Sequence, residues 1–468
     1  MLTKSQLSSM DDIGTVYFYK SLVLRAINNE RKSTILELLG CGLIDRLIQE
    51  KLFPKTRVSS HQIDGHELVI EHEKIDSVTY PFEWSPEMLR QAGLCILKVN
   101  SIANEYGYEL KDSHAYNVVF KYNQPMMVDF GSIVRKNDNY RWTAYVRFKC
   151  AYIYALKLYK IGANSVFRNL FLLSGKGIEE AEYLKIRFPI FRLLSDSTLV
   201  KFLKVWNFYR NSTSIPAHIF ERKIKSRQLA KIINYFAKAE FFEFSKYKHA
   251  YIEKTLSNLS WTKETTWGTY HQRVGLSSAT GEINLSERFK LILEIVEGLN
   301  VSTVMELAGN QGVLSRQIAK LPRINSVICS DYDENAIDRL FLNLKESENI
   351  TPVVLDMMRS PIASRGLLSN MRLKSDLVIA LAVTHHLILS QGYSLDFIFS
   401  SMVGYARSYL IIEFMPLGLY SKRGNSRPAI PEWYSEEWFV KTLAKYGTII
   451  QRTLLEENRV VFVVKVNT

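Results

Sequence analysis

In the last third of the chain, short apolar runs alternate with amphipathic stretches, a pattern that predicts a parallel sheet flanked by helices. Residues 284–299 carry Leu285, Phe289, Leu291, Ile292 and Ile295 at helical spacing. The apolar, β-branched residues before Glu306 read as a buried parallel strand. Past Gly312, the residues Leu314, Ile318 and Leu321 return to near-helical spacing. Further strands are expected at Ser326–Asp331, at Pro352–Asp356, and from Ser375 onward, where a run uncharged from Leu377 to Thr384 empties into a loop carrying His385 and His386. Ser408–Pro416 is a fifth strand ending in Glu413 and a proline stop, and Thr448–Thr453 with Arg459–Lys465 form an antiparallel closing pair.

Upstream the pattern is mixed. Residues 14–30 predict a hairpin, Thr34–Leu52 a helical stretch broken near Gly40 and Gly42, and His66–Ile75 a strand. Pro81 and Pro86 fix an extended passage around Phe82 and Trp84. Ser85-Pro86-Glu87 then supplies an N-cap, a proline at the first helical position and an acid in the first turn. From Tyr140 to Tyr251 aromatics recur at helical spacing, which is the mark of core rather than of a ligand box. The expected division is an α+β module at 1–140, a basic helical region at 141–260 and an α/β domain at 261–468.

Composition narrows the class. The chain has 468 residues and is 47% hydrophobic, enough for full-sized cores in about three domains. Cys41, Cys95, Cys150 and Cys329 form no CxxC pair and cluster with no histidines, so neither disulfides nor a metal site are expected. Met1–Asp12 has no apolar leader core, and no apolar run approaches the ~20 residues of a membrane span, so a cytoplasmic location is expected. The net charge of +13 is concentrated in residues 201–250, around Arg222, Lys223, Lys225 and Arg227. One reading is a solvated helical face; the other is a patch for an anionic acceptor or for peripheral contact with the inner membrane surface. No nucleic-acid motif accompanies it, which argues against a nucleic-acid partner.

The candidate chemistry starts at Glu306-Leu-Ala308-Gly309-Asn310-Gln311-Gly312, where small residues let the backbone turn tightly from strand to helix. Asp331 closes the next strand about 25 residues on, where an acid can accept both hydroxyl protons of a ribose lying across the strand ends. A dinucleotide or S-adenosylmethionine would satisfy that pair. Pyrophosphate would have to lie against the Asn310 side chain, which favours S-adenosylmethionine. The turn resembles motif I of class I methyltransferases, acid-x-Gly-x-Gly-x-Gly, with Ala308 and Asn310 at the first two glycines and Gly312 retained. The resemblance implies a Rossmann-type methyltransferase domain in which Asp356 or Met357 touches the adenine. It also implies cofactor contacts from Trp267, Tyr270, Tyr332, Ala380 and Ala382. His385 and His386 would sit beside the reactive methyl group. Neutral imidazole suits removal of a hydroxyl proton, and His385, nearer the strand end, is favoured as base, oriented by Glu413.

A second constellation lies at Asp112, Asn117 and Asp129-Phe-Gly131. Kinases carry a similar Asp-x4-Asn catalytic loop, a hairpin and a metal-binding Asp-Phe-Gly. The glycine-rich loop is missing apart from Gly14, and Arg25 stands where a phosphate-pairing lysine would be sought. A degenerate, non-phosphorylating kinase-like module is one reading; a turn in which Asp112 and Asn117 bond the backbone is the other. Together with Tyr80-Pro-Phe-Glu-Trp-Ser-Pro86, the Trp267/Tyr270 hinge and Ala380–His386, these motifs resemble the NoeA-like, nodulation-related bacterial methyltransferases over most of the chain. That family implies methyl transfer from S-adenosylmethionine to a carbohydrate or lipid-linked glycan. A scaffold that keeps the fold without catalysis, or a bifunctional kinase-methyltransferase, is the alternative.

Overall fold

A computed structural model describes residues 2–5, 12–173, 175–211, 249–261, 265, 286–359, 368–420 and 428–467. The chain forms two compact units, one of residues 1–75, 89–119 and 125–261, the other of residues 76–88, 120–124 and 262–468. The last boundary, between 261 and 262, falls within one residue of the expected one at 260/261, while no division falls at 140 and residues 76–88 and 120–124 join the second unit.

In the first unit, β1 (Thr3–Lys4), β2 (Gly14–Tyr19), β3 (Leu22–Ile27), β4 (Thr56–Val58) and β5 (Leu68–Glu73) form an antiparallel sheet in the order β1-β2-β3-β5-β4. The expected hairpin is β2–β3. The helical stretch after it is two helices, Lys32–Gly40 and Leu43–Gln49, separated by Gly42 at φ 84°. Short strands β6 (Tyr108–Leu110), β7 (Val118–Lys121), β8 (Gln124–Met127) and β9 (Ile133–Arg135) follow the helix Pro86–Glu105, and residues 120–124 of the β7–β8 hairpin belong to the second unit. The aromatic stretch supplies core as expected: Trp142, Tyr145, Phe148 and Tyr152 are fully buried. Lys149 is buried among them, with Nζ 2.6 Å from Glu180 Oε1, which also accepts from the Tyr154 hydroxyl at 2.5 Å. A buried ammonium without such a partner would cost several kcal/mol, about 3–5. Arg222, Lys223, Lys225 and Arg227 lie outside the described residues.

The second unit is built on a seven-stranded sheet. Its strands are β10 (Thr303–Leu307), β11 (Ser326–Asp331), β12 (Ile350–Val354), β13 (Ser375–Ala380), β14 (Ala406–Phe414), β15 (Gly447–Glu456) and β16 (Arg459–Val466). Their order is β12-β11-β10-β13-β14-β16-β15. The first five run parallel and β16 enters antiparallel to β14. This is the expected Rossmann-type α/β arrangement. The chain leaves β10 first toward β11 and later returns to β10's other side with β13. That reversal opens a crevice beyond the strands' carboxyl ends.

Residues 76–88 belong to this unit because their side chains are buried in it. Glu83 accepts from Ser369 Oγ (2.5 Å), from Tyr80 N (2.7 Å) and from both terminal nitrogens of Arg372 (2.5 and 3.0 Å). The Arg372 guanidinium in turn lies 3.9 Å from the Tyr80 ring centroid. Trp84 packs on Phe120 and Phe120 on Phe341, edge to face, while Glu87 N donates to Asp338. Glu83→Ala removes the carboxylate to which both terminal nitrogens of the buried Arg372 side chain donate. It should lower stability by about 3 kcal/mol in urea denaturation, and an unchanged midpoint would show that the pair is as weak as a surface ion pair.

Candidate functional site

The turn after β10 is strained and well tied. Ala308, Asn310 and Gly312 all take left-handed conformations, at φ 54°, 53° and 69°. Two of these three are not glycine, a cost that persists only where surrounding structure imposes it. The ties are Gly309 N to Ser330 O, Asn310 N to Asp331 Oδ2 and Gly312 N to Gly309 O, each 2.9 Å. At Gly309 the constraint is closeness: a Cβ there would lie 2.7 Å from Cys329 Sγ and 3.0 Å from Glu306 Cδ. The glycine thus lets β11 and the Glu306 carboxyl approach the turn.

The acids line up along the strand ends. Glu306 Oε2 accepts from Ser315 N at 3.0 Å and Ser315 Oγ at 2.5 Å, while burial pushes its pKa up to about 7. Asp331 Oδ1 accepts from Asp333 N at 2.8 Å, and burial raises its pKa to about 6. Leu355 N donates to Asp331 O, placing the end of β12 beside it. Asp356 and Met357 follow, half-buried, with Asp356 Oδ1 accepting from Met358 N. Tyr332 is exposed. Ala380 is the last residue of β13, and Ala382 turns the chain at φ 53°.

The histidines are not in a loop. They belong to the first turn of a short helix, Thr384–Leu389, and their ring centroids are 4.2 Å apart, so they do not point opposite ways as residues leaving a strand would. His385 is buried and its Nδ1 has no hydrogen-bond partner among the described residues. Burial, with His386, Arg459 and Arg288 adding to it, pushes its pKa down to about 3. His386 is half-buried and lowered by burial alone. Glu413 is fully buried, but it does not orient His385. Its Oε2 accepts from Ala382 N (2.7 Å), Arg288 Nη2 (2.9 Å) and Arg459 Nη1 (2.9 Å). Cationic neighbours outcompete a neutral imidazole for a buried carboxylate.

Trp267 and Tyr270 lie outside the described residues. In the first unit, Asp112 Oδ1 accepts from the backbone of Ser113 and His114, and Asn117 Nδ2 donates to Ser132 Oγ at 3.3 Å. Asp129 caps its own turn, accepting from Gly131 N at 3.1 Å and from the Ser132 hydroxyl. Arg25 is buried, which lowers its pKa against the opposing charge of Asp129. Among the described residues, no group of three or more His, Cys, Asp or Glu is placed to hold a metal ion.

Sequence reasoning missed Ser315, Arg288 and Arg459. Ser315 sits one turn into the helix that Glu306 faces. Arg288 lies 125 residues from Glu413 and Arg459 lies 46 from it. No local spacing signals either pairing.

The raised Glu306 pKa fixes a pH dependence. Between the unfolded value near 4.5 and about 7 the fold holds a proton that the unfolded chain has released, so this contribution to stability is full below pH 4.5 and lost as pH rises through 7. Glu306→Gln should therefore gain on the wild type as pH rises from 5 to 8, by about 2 kcal/mol at most. Parallel stability-pH curves would show that the carboxyl is not held in its neutral form.

No protein-family model matches the chain. Over 467 residues it is 24% identical to the nodulation protein NoeA of Rhizobium meliloti (strain 1021), covering 96% of this chain and 93% of that one. Among solved structures, the N-methyltransferase NodS of Bradyrhizobium japonicum WM9 matches at 16% identity over 39% of this chain and 96% of its own, with a TM-score of 0.29. The same enzyme in complex with S-adenosyl-l-homocysteine matches at 14% identity over 43% and 99%, TM-score 0.31. The PH0226 protein of Pyrococcus horikoshii OT3 matches at 15% identity over 42% and 98%, TM-score 0.32. These are proteins the chain is similar to, at a distance that leaves its chemistry to be argued from its own residues.

Proposed function

We propose that this chain is an S-adenosylmethionine-dependent methyltransferase acting on a hydroxyl of a carbohydrate or lipid-linked glycan. The observation that carries the reading is the pair of acids, buried Glu306 and half-buried Asp331, at the ends of adjacent parallel strands. They flank a left-handed turn with no room for a Cβ at Gly309. The residues present fit the cofactor. Asp331 would hold the ribose hydroxyls and Asp356, Met357 and Tyr332 the adenine side. Glu306 and the turn Ala308–Gly312 would hold the amino-acid end, with Ala380 and Ala382 closing the floor.

When bound, the cofactor supplies a methyl group on a sulfonium, open to in-line attack. The chain's own contribution is alignment and removal of a proton. As the acceptor oxygen gains the methyl group its hydroxyl proton must leave, and the thioether product is neutral. We assign that proton to the imidazole of His386 rather than His385. A proton on His385 would add a third positive charge beside Arg288 and Arg459, whereas His386 is opposed by burial alone. The acceptor class rests on the motif resemblance and on the likeness to the nodulation protein NoeA.

The test is single-turnover transfer of labelled methyl to oligosaccharide acceptors. His386→Ala should lose roughly 10²–10⁴-fold in rate while adenosylmethionine affinity stays within a few-fold. Normal turnover in His386→Ala would contradict the assignment, and absence of transfer by the wild type to any glycan would contradict the acceptor class.

For the first unit we propose a kinase-like module without phosphoryl transfer, whose Asp129 is committed to its own turn and to the charge of Arg25. The five-stranded antiparallel sheet, the following helices and the Asp112–Asn117 loop ahead of the β7–β8 hairpin support that reading. Incubation with magnesium and labelled ATP should leave the ATP intact. Turnover that disappears in Asp129→Ala would overturn it.

A further inference from the structure

The chain that follows β14 packs against the histidine helix and then presents an exposed tryptophan. A Cβ on Gly418 would lie 2.8 Å from Leu389 Cδ1 and 3.8 Å from Ile430 Cγ1. The backbone there passes between the last residue of the helix Thr384–Leu389 and Ile430. Tyr434 anchors what comes next. Its hydroxyl donates to Met415 O at 3.2 Å, and its ring packs on Phe414, the last residue of β14, with centroids 5.1 Å apart. Trp438, half-buried in the helix Glu436–Leu443, meets Trp433 edge to face at 5.0 Å. Yet Trp433 itself is 53% exposed. The indole is held in place by its neighbours while much of it faces solvent.

What borders the ring decides what it can receive. Glu432, Ser435 and Glu437, close to it in the chain, are exposed. Glu436 accepts two hydrogen bonds from Arg452, at 2.5 and 2.9 Å. A protein partner calls for a wide contiguous apolar patch, and an anionic membrane would be repelled by these acids. A pyranose ring asks for less: C–H groups across one face and hydroxyls around its rim. The electron-rich face of an indole attracts those C–H groups, and carboxylates at its border accept from the hydroxyls.

We propose that Trp433 is a stacking platform for a sugar ring of the acceptor, one ring removed from the sugar that is methylated. The inference rests on the glycan-methyltransferase reading. The offset follows from the packing. From His386 to Leu389 the helix rises about 4.5 Å, and Gly418 and Ile430 lie beyond, more than a single pyranose spans.

The experiment measures methyl transfer and equilibrium binding with glucan, mannan and xylan oligomers of one to six rings. The wild type should bind at least one series saturably, and more tightly for two or more rings than for one. Trp433→Ala should raise KM for those longer acceptors about tenfold, leave the one-ring KM within about twofold and leave kcat unchanged. Trp433→Phe, which keeps an aromatic face, should recover part of the loss. Unaltered S-adenosylmethionine affinity in both variants shows that they are folded.

Equal KM losses for one ring and for many, no loss for either, or a fall in kcat alone would overturn the platform and leave the methyltransferase reading intact. Loss of binding to phospholipid vesicles in place of oligomers would also overturn it, and would make Trp433 a membrane contact. Cofactor binding by the wild type with no oligomer bound in any series would overturn it together with the acceptor class. If the wild type bound no S-adenosylmethionine, the methyltransferase reading would fall and take this inference with it.

Discussion

A carboxylate taken wholly out of water must be met by charge and by hydrogen-bond donors, and Glu413 is met by both. Two guanidiniums and the Ala382 N–H converge on one of its oxygens. Those three partners come from the helix Glu287–Gly298, from the start of β16 and from two residues past the end of β13. The same residue's backbone carbonyl accepts from Thr384 Oγ1 at 2.7 Å. One buried acid therefore fixes the left-handed turn at Ala382, the first residue of the short helix that carries the histidines, and the seat of Arg288. Breaking it would strip two arginines of a shared carboxylate and would release each element that frames the proposed acceptor side.

The proposed cofactor side is organised by the opposite device. Buried Glu306 and half-buried Asp331 are answered by neutral hydrogen-bond donors, the hydroxyl and N–H of Ser315 and the N–H groups of Asn310 and Asp333. Their pKa values rise accordingly, to about 7 and about 6. Such carboxyls are poised to ionise fully when a cationic ligand arrives, since a nearby positive charge lowers the pKa it meets. The two sets of acids thus differ in how they are held: Glu413 by the guanidiniums of Arg288 and Arg459, Glu306 and Asp331 mainly by neutral donors.

The sequence made the parallel strands legible because each is a continuous apolar run closed by an acid or a small residue, and β10, β11, β12, β13 and β14 lie where those runs do. The positions of Glu306, Gly309 and Asp331 were legible for the same reason. What local pattern could not show was anything set by long-range pairing. The Glu413 partners lie far away in the chain, so an acid beside two histidines suggested an Asp-His type of orientation that the arginines pre-empt. Phe82, Glu83 and Trp84 looked like an extended passage in the first domain. Their burial against Phe120, Ser369 and Arg372 assigns them to the second unit. His385 and His386 were expected in a loop because a helix of one or two turns has too few residues to show a period.

The central claim is that the crevice beyond β10 and β11 is an S-adenosylmethionine site closed by Asp331. Titration of the full-length chain with S-adenosylmethionine, wild type against Asp331→Ala, at pH 7.5 and again near pH 5, tests it most directly. The account predicts saturable one-site binding by the wild type that weakens at the lower pH as Asp331 takes up a proton. It also predicts a loss of at least tenfold in Asp331→Ala that shrinks near pH 5. Saturable binding that is indifferent to both the substitution and the pH would place the ligand elsewhere, and no heat in the wild type would contradict the claim outright.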